Sequence, residues 1–99
     1  MIEVTMVRIY VTESSKLLKP ILQYLQKEIK IRGVSVFRAI EGFGDSGTVH
    51  TATFTDLSLD LPLAIEFFDH PEKVTTALNH LSSMVKAEHI VTWKAYANK

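Results

Sequence analysis

The chain has 99 residues, 46% of them hydrophobic, with eleven acidic and eleven basic side chains and a formal net charge of zero. That balance supports one core-forming domain, expected over residues 1–99, and argues against a disordered chain or a nucleic-acid binder working through a basic excess. The absence of cysteine excludes disulfides, zinc–thiolate sites, iron–sulfur clusters and thiol catalysis together.

A chain this short buries only about 60–70% of the surface its unfolded state exposes. Zero net charge adds little colloidal repulsion, so self-association is favoured. The opening MIEVTMVRIYV is not expected to be a signal peptide, because Glu3 and Arg8 interrupt its apolar residues and no cationic lead precedes them. No run approaches the ~20 apolar residues of a membrane span. The expectation is a cytoplasmic protein without membrane insertion.

Met1 to Val11 alternates and is rich in Val, Ile and Tyr, which predicts a first strand. TESSKLLK then leads to Pro20, placed as the first residue of a helix whose stripe is Leu18, Ile21, Leu22, Leu25 and Ile29. Lys30 and Arg32 suit its negative end, and Gly33 is the residue expected to take the positive φ that closes it. Val34 to Ile40 reads as a second strand, and Thr48 to Thr55 as the return arm of a long hairpin. Leu61 to Phe68 is a strongly apolar strand. Asp69 or His70 caps a second helix with Pro71 in its first turn and a stripe of Val74, Ala77, Leu78, Leu81, Met84 and Val85. Ile90 to Tyr96 is the last strand. This order predicts an α+β, ferredoxin-like βαββαβ fold with an insertion between its second and third core strands.

Two helices cover one face of such a sheet. Val7, Ile9 and Val11, with Leu63, Ile65 and Phe67, form the aliphatic sets that should meet them. The alternate sets, Met6, Arg8, Tyr10 and Ala64, Glu66, Phe68, mix large apolar groups with one charge each. A second subunit over that face, with Arg8 and Glu66 paired or facing a ligand, accounts for the mixture; an amphipathic solvent face is the alternative.

Gly42, Gly44 and Gly47 in EGFGDSGTVHT match G-x-G-x-x-G. The dinucleotide reading fails because these glycines lie between two strands rather than before a helix. The kinase reading fails for want of the strand lysine, catalytic aspartate and D-F-G. What remains is close backbone approach to an anion in a hinged loop, or simply the positive φ of a twisting hairpin.

Other chemistry is weakly encoded. His50, His70, His80 and His89 form no local chelate, so a metal site would have to assemble across subunits. His80, off the stripe, is expected to be solvated. Ser46 near Asp45 and His50 lacks an orienting third group, and no general acid–base pair is evident, so an enzyme is not expected. Trp93 is expected in the core or an interface rather than in a base-stacking platform.

RAIEGFG at Arg38–Gly44, His50-Thr51, and Leu61-Pro62 through Glu66, with RIYV at Arg8–Val11 and Lys19-Pro20, carry a resemblance over nearly the whole chain. The chain resembles a prokaryotic PII-like (GlnB-like) family of unknown function, related to nitrogen-regulatory PII proteins and often encoded near fluoride exporters. The resemblance implies a homotrimer whose sheets pack their helix-free faces around an axis. It also implies adenine-nucleotide binding (ATP, ADP or AMP) in clefts between subunits, at the base of a mobile loop here spanning residues 41–60. The resemblance further implies that a protein partner, such as a membrane transporter, reads that loop.

On that basis Arg38 would neutralise a phosphate, and Gly42 and Gly44 would supply close backbone contact and the hinge. Phe43 would pack on a ring or a neighbouring subunit. His50 and Thr51 would donate or accept hydrogen bonds, and Arg8 with Glu66 would form a supporting pair. The departure is that no glycine follows Gly47, so the second glycine-rich phosphate loop of typical PII proteins is missing. The alternatives are a trimeric protein-interaction module without a small-molecule ligand and, more remotely, a metal-binding protein of the copper-tolerance kind.

Overall fold

The computed structural model describes residues 1–43, 50–51 and 61–99. Strand β1 (Ile2–Thr12) is followed by helix α1 (Leu18–Gln23), which runs on into a π-helical turn over Tyr24–Glu28. Then come β2 (Val34–Arg38), the short β3 (Glu41–Gly42) and β4 (His50–Thr51), β5 (Pro62–Asp69), α2 (Pro71–Leu81) and β6 (Ile90–Ala97). The four long strands form one sheet in the order β2-β5-β1-β6, every neighbouring pair antiparallel. This is the expected ferredoxin-like arrangement. β3 and β4 pair with each other as the inserted hairpin, and the expectations for Gly44 to Val49 and for residues 52–60 lie outside the described residues.

Side chains alternate across a strand, so one residue set per strand must face the helices. Val7, Ile9, Val11, Leu63, Ile65 and Phe67 do, and all are buried. α1 and its extension contribute Ile21, Tyr24 and Leu25, and α2 contributes Val74, Ala77 and Leu81, with Val85 just beyond it. The remaining predicted stripe residues, Leu18, Leu22, Ile29, Leu78 and Met84, pack at the margin of this core. Each fully buried aliphatic side chain here contributes about 1.5–3 kcal/mol of transfer free energy.

Three local expectations give way. The first helix begins at Leu18, which puts Pro20 in its third position, still inside the turn whose N–H groups have no intrahelical partner. Its end is not closed by Gly33. Lys30 takes the left-handed conformation, at φ 58°, while the Ile31 N–H reaches back to the Leu25 carbonyl at 2.8 Å. Lys73 Nζ then donates to the Lys30 carbonyl at 2.9 Å, so a contact from α2 holds a backbone shape that glycine normally supplies. The wider π turn packs the successive residues Tyr24 and Leu25 both inward, which a strict 3.6-residue period does not foresee.

At the start of α2, His70 occupies the capping position, but its side chain makes no capping bond. Asp69 is the functional neighbour: its Oδ1 accepts the His70 N–H at 2.7 Å, and Lys73 Nζ lies 3.6 Å from Oδ2. His80 is not merely solvated either, because its ring stacks on Tyr24 at 3.8 Å between centroids and 11° between planes.

Candidate functional site

The register of the sheet places Ser35, Glu66, Arg8 and Val91 in one cross-strand row on the helix-free face. Phe68, Met6 and Trp93 form the next row, and Phe37, Ala64 and Tyr10 the row on the other side. Arg8 sits at the centre. Its Nε and one terminal amino group donate to Glu66 Oε2 at 2.8 and 2.6 Å, and its guanidinium lies 5.4 Å from the Trp93 ring centroid. The Tyr10 hydroxyl and then the Glu66 carboxylate hold Arg8 above the usual arginine range. The pairing expected from the sequence is present. Around it Tyr10, Phe37, Phe68, Val91 and Trp93 are all exposed in the single chain.

Arg38 belongs elsewhere. It pairs in register with Leu63, and its parity puts it on the helix-covered side of the sheet, at the end from which the β3–β4 hairpin leaves. There its Nε meets Glu13 Oε1 at 2.6 Å, with the Arg38 side chain 59% exposed. Arg38 and the Arg8–Glu66 pair therefore do not form one constellation within a chain. Glu13 is the site residue that sequence reasoning missed. The available signal was that the ends of β1 and β2 share one end of the sheet, which brings the acid of TESSK within reach.

Gly42 lies in β3 and pairs with His50, as Glu41 pairs with Thr51. It does not take a positive φ. A Cβ there would stand 3.0 Å from Pro62 Cγ, so packing against the first residue of β5 already favours glycine. Phe43 is 72% exposed, with no ring against it among the described residues. Only the backbone pairing is described for His50 and Thr51, and Gly44 lies outside the described residues.

An open groove of about 940 Å³ lies at the opposite end of the sheet from Arg38, where β1 begins and β5 and β6 end. Val4, Met6 and Phe68 line it beside Arg32, Asp69 and Lys73. It does not coincide with the expected loop-base site. Among the described residues no group of three or more His, Asp or Glu is arranged to hold a metal, and no helix is long and apolar enough to cross a membrane.

Comparison with known proteins places this geometry. The profile of the DUF190 family, described as "Uncharacterized ACR, COG1993", matches residues 4–97. A UPF0166 protein of Methanocaldococcus jannaschii is 30% identical over 96 residues, covering 92% of this chain and 87% of the relative. Another, from Aquifex aeolicus, is 33% identical over 66 residues, covering 64% of this chain and only 63% of the relative.

Among solved structures, CPII bound to ADP and bicarbonate, from Thiomonas intermedia K12, superposes with a TM-score of 0.73 at 15% identity, covering 98% of this chain and 90% of that one. A putative PII-like signalling protein from Thermus thermophilus gives 0.63 at 15% identity, covering 95% and 86%. A divalent ion tolerance protein from Ehrlichia chaffeensis gives 0.61 at 13% identity, covering 100% and 85%. These likenesses establish a shared PII-like fold.

Proposed function

The chain belongs to the DUF190 family, and on that premise we propose that it is a PII-like regulatory protein. In this reading it senses a small anionic ligand, an adenine nucleotide foremost, in clefts between subunits and signals through the loop 41–60. The observation that carries the reading is the helix-free face. Five large exposed side chains ring a charge pair that is already neutralised, which suits burial against another copy better than open water.

Topology adds support. The end of β2, at Arg38, and the start of β6, at Ile90, lie at the same end of the sheet but on its opposite edges. A crevice drawing on both needs two chains. The fold is shared with a protein whose structure was solved with ADP and bicarbonate, which makes nucleotides and bicarbonate the first ligands to try. Arg38 engages Glu13 through Nε, and a guanidinium has five N–H donors, so a phosphate oxygen would meet its terminal amino groups.

Calorimetric titration with ATP, ADP, AMP, cyclic dinucleotides and bicarbonate tests the reading, with sedimentation alongside. Binding is expected to an oligomer and to vanish in Arg38→Ala. A monomer at micromolar concentration, or binding untouched by that substitution, overturns it. The second reading is an assembly module acting on a protein partner without a small ligand. It is favoured by Glu13 already neutralising Arg38 and by Pro62 already accounting for Gly42. The absence of heat from every compound with an intact oligomer selects it.

A further inference from the structure

β5 separates β1 from β2, so a side chain leaving the end of β1 must bridge about 9–10 Å of sheet to meet one at the end of β2. Glu13 makes that crossing. Consecutive carbonyls at the entrance of β5 fix the backbone on both sides: Leu61 accepts the Glu13 N–H at 3.3 Å, and Pro62 accepts the N–H of Ala39, next to Arg38, at 2.9 Å. The turn that carries the acid, Glu13–Ser15, is closed by a left-handed Lys16 at φ 59°, whose N–H returns to the Glu13 carbonyl. Ser15 Oγ ties it to the Thr12 carbonyl at 2.7 Å. A fixed backbone therefore presents Glu13 to Arg38.

The contact itself is incomplete. Glu13 Oε1 lies 2.6 Å from Arg38 Nε, yet this buried oxygen receives no directed hydrogen bond among the described residues. Distance without direction makes an ion pair, which offsets the arginine's charge and leaves its N–H donors uncommitted to Glu13. A buried acceptor left so costs stability, and a role in selecting the ligand accounts for it.

Resting on the sensor reading above, we infer that Glu13 is a specificity-determining residue. Its carboxylate is a fixed negative charge at the edge of the anion site and discriminates against highly charged ligands. Arg38 attracts any anion that reaches its terminal amino groups. Glu13, on the same guanidinium and well inside the ~10 Å Debye length, repels that anion in proportion to its charge. Together they recognise an anion through N–H donors, while a polyphosphate gains little from its extra charges. The ligand class narrows to anions of low charge, a monophosphate or smaller, over a triphosphate.

Titrating AMP, ADP and ATP into the wild type and Glu13→Gln at fixed ionic strength tests this, because one nucleoside then carries three different charges. Glutamine keeps the side-chain length and removes the charge. Glu13→Gln should bind AMP about 3–10-fold more tightly, from Coulomb's law at nearly aqueous screening, as suits an Arg38 side chain that is 59% exposed. The gain should rise from AMP to ADP to ATP and shrink as salt is added. Glu13→Ala should show the same grading, whereas a carboxylate that merely shapes the turn would change all three affinities by one common factor. In the wild type ATP should bind no more tightly than AMP, which tests the selection without any variant.

Tighter wild-type binding of ATP than of AMP overturns the inference. So does Arg38-dependent binding that Glu13→Gln leaves unchanged, weakens, or strengthens equally for all three nucleotides; each of these results leaves the sensor reading intact. No binding by either protein, or binding that survives Arg38→Ala, removes the sensor reading and this selection with it.

Discussion

Replacing Gly42 by alanine separates a packing role for this glycine from a ligand role. The new Cβ would stand 3.0 Å from Pro62 Cγ, closer than carbon atoms tolerate without movement. Two effects oppose each other. Alanine restricts the unfolded chain and by itself stabilises by about 0.4–1 kcal/mol where the native backbone suits it, and Gly42 has no positive φ to forbid it. Overpacking against a well-seated neighbour costs about 1–3 kcal/mol. Pro62 is well seated, since it opens β5 opposite Thr12 and its carbonyl holds the Ala39 N–H.

The clash should therefore win, with a net loss on the order of 1 kcal/mol, or about 4–8 °C in Tm for a chain of this size. Urea unfolding at fixed protein concentration measures it, and a double-mutant cycle with Pro62→Ala isolates the cause. In the Pro62→Ala background Gly42→Ala should become neutral or mildly stabilising. An equal loss in both backgrounds would refute the packing argument and return Gly42 to the candidates for ligand contact.

Leu25→Ala, at a fully buried position of the π turn, should lower unfolding stability by about 2–5 kcal/mol in urea titration; a loss no larger than that of a surface substitution would mean the turn does not seat it in the core. Burial, and then Glu28, raise the Tyr24 pKa above its ordinary value of 10.0. The unfolded chain then ionises first, so the contribution is intact below pH 10.0 and fades as pH climbs toward the folded-state pKa. Thermal melts along an alkaline series should show a decline that Tyr24→Phe lessens. Removing the ring that covers Tyr24, by His80→Ala, should cost about 0.5–1.5 kcal/mol, with His80→Phe restoring most of it in the same denaturation assay.

The helix-facing residues were legible because their cause is local. Alternation in β1 and β5 and the stripes of both helices follow from backbone geometry alone, and every aliphatic residue assigned to the helix-covered side of those strands is buried. The Arg8–Glu66 pair was legible for the same reason, as the single charge on the opposite face of two strands that this fold makes neighbours. The site at Arg38 was only half legible. Its place at the end of β2 could be read, but its parity and its partner Glu13, 25 positions earlier, could not.

Sequence by itself therefore determined the order of elements, the ferredoxin-like plan and the chemically mixed face, since these depend on periods of two and 3.6 residues. Tertiary structure alone decided where those periods break. Lys30 rather than Gly33 takes the left-handed turn, in a helix end held by Lys73. Tyr24 turns inward through a π turn to meet His80, and Gly42 is brought so close to Pro62 that an added Cβ would stand 3.0 Å from Cγ. Each is a contact between residues distant along the chain, whose energy outweighs a local preference of about 1 kcal/mol or less, and no local pattern records it.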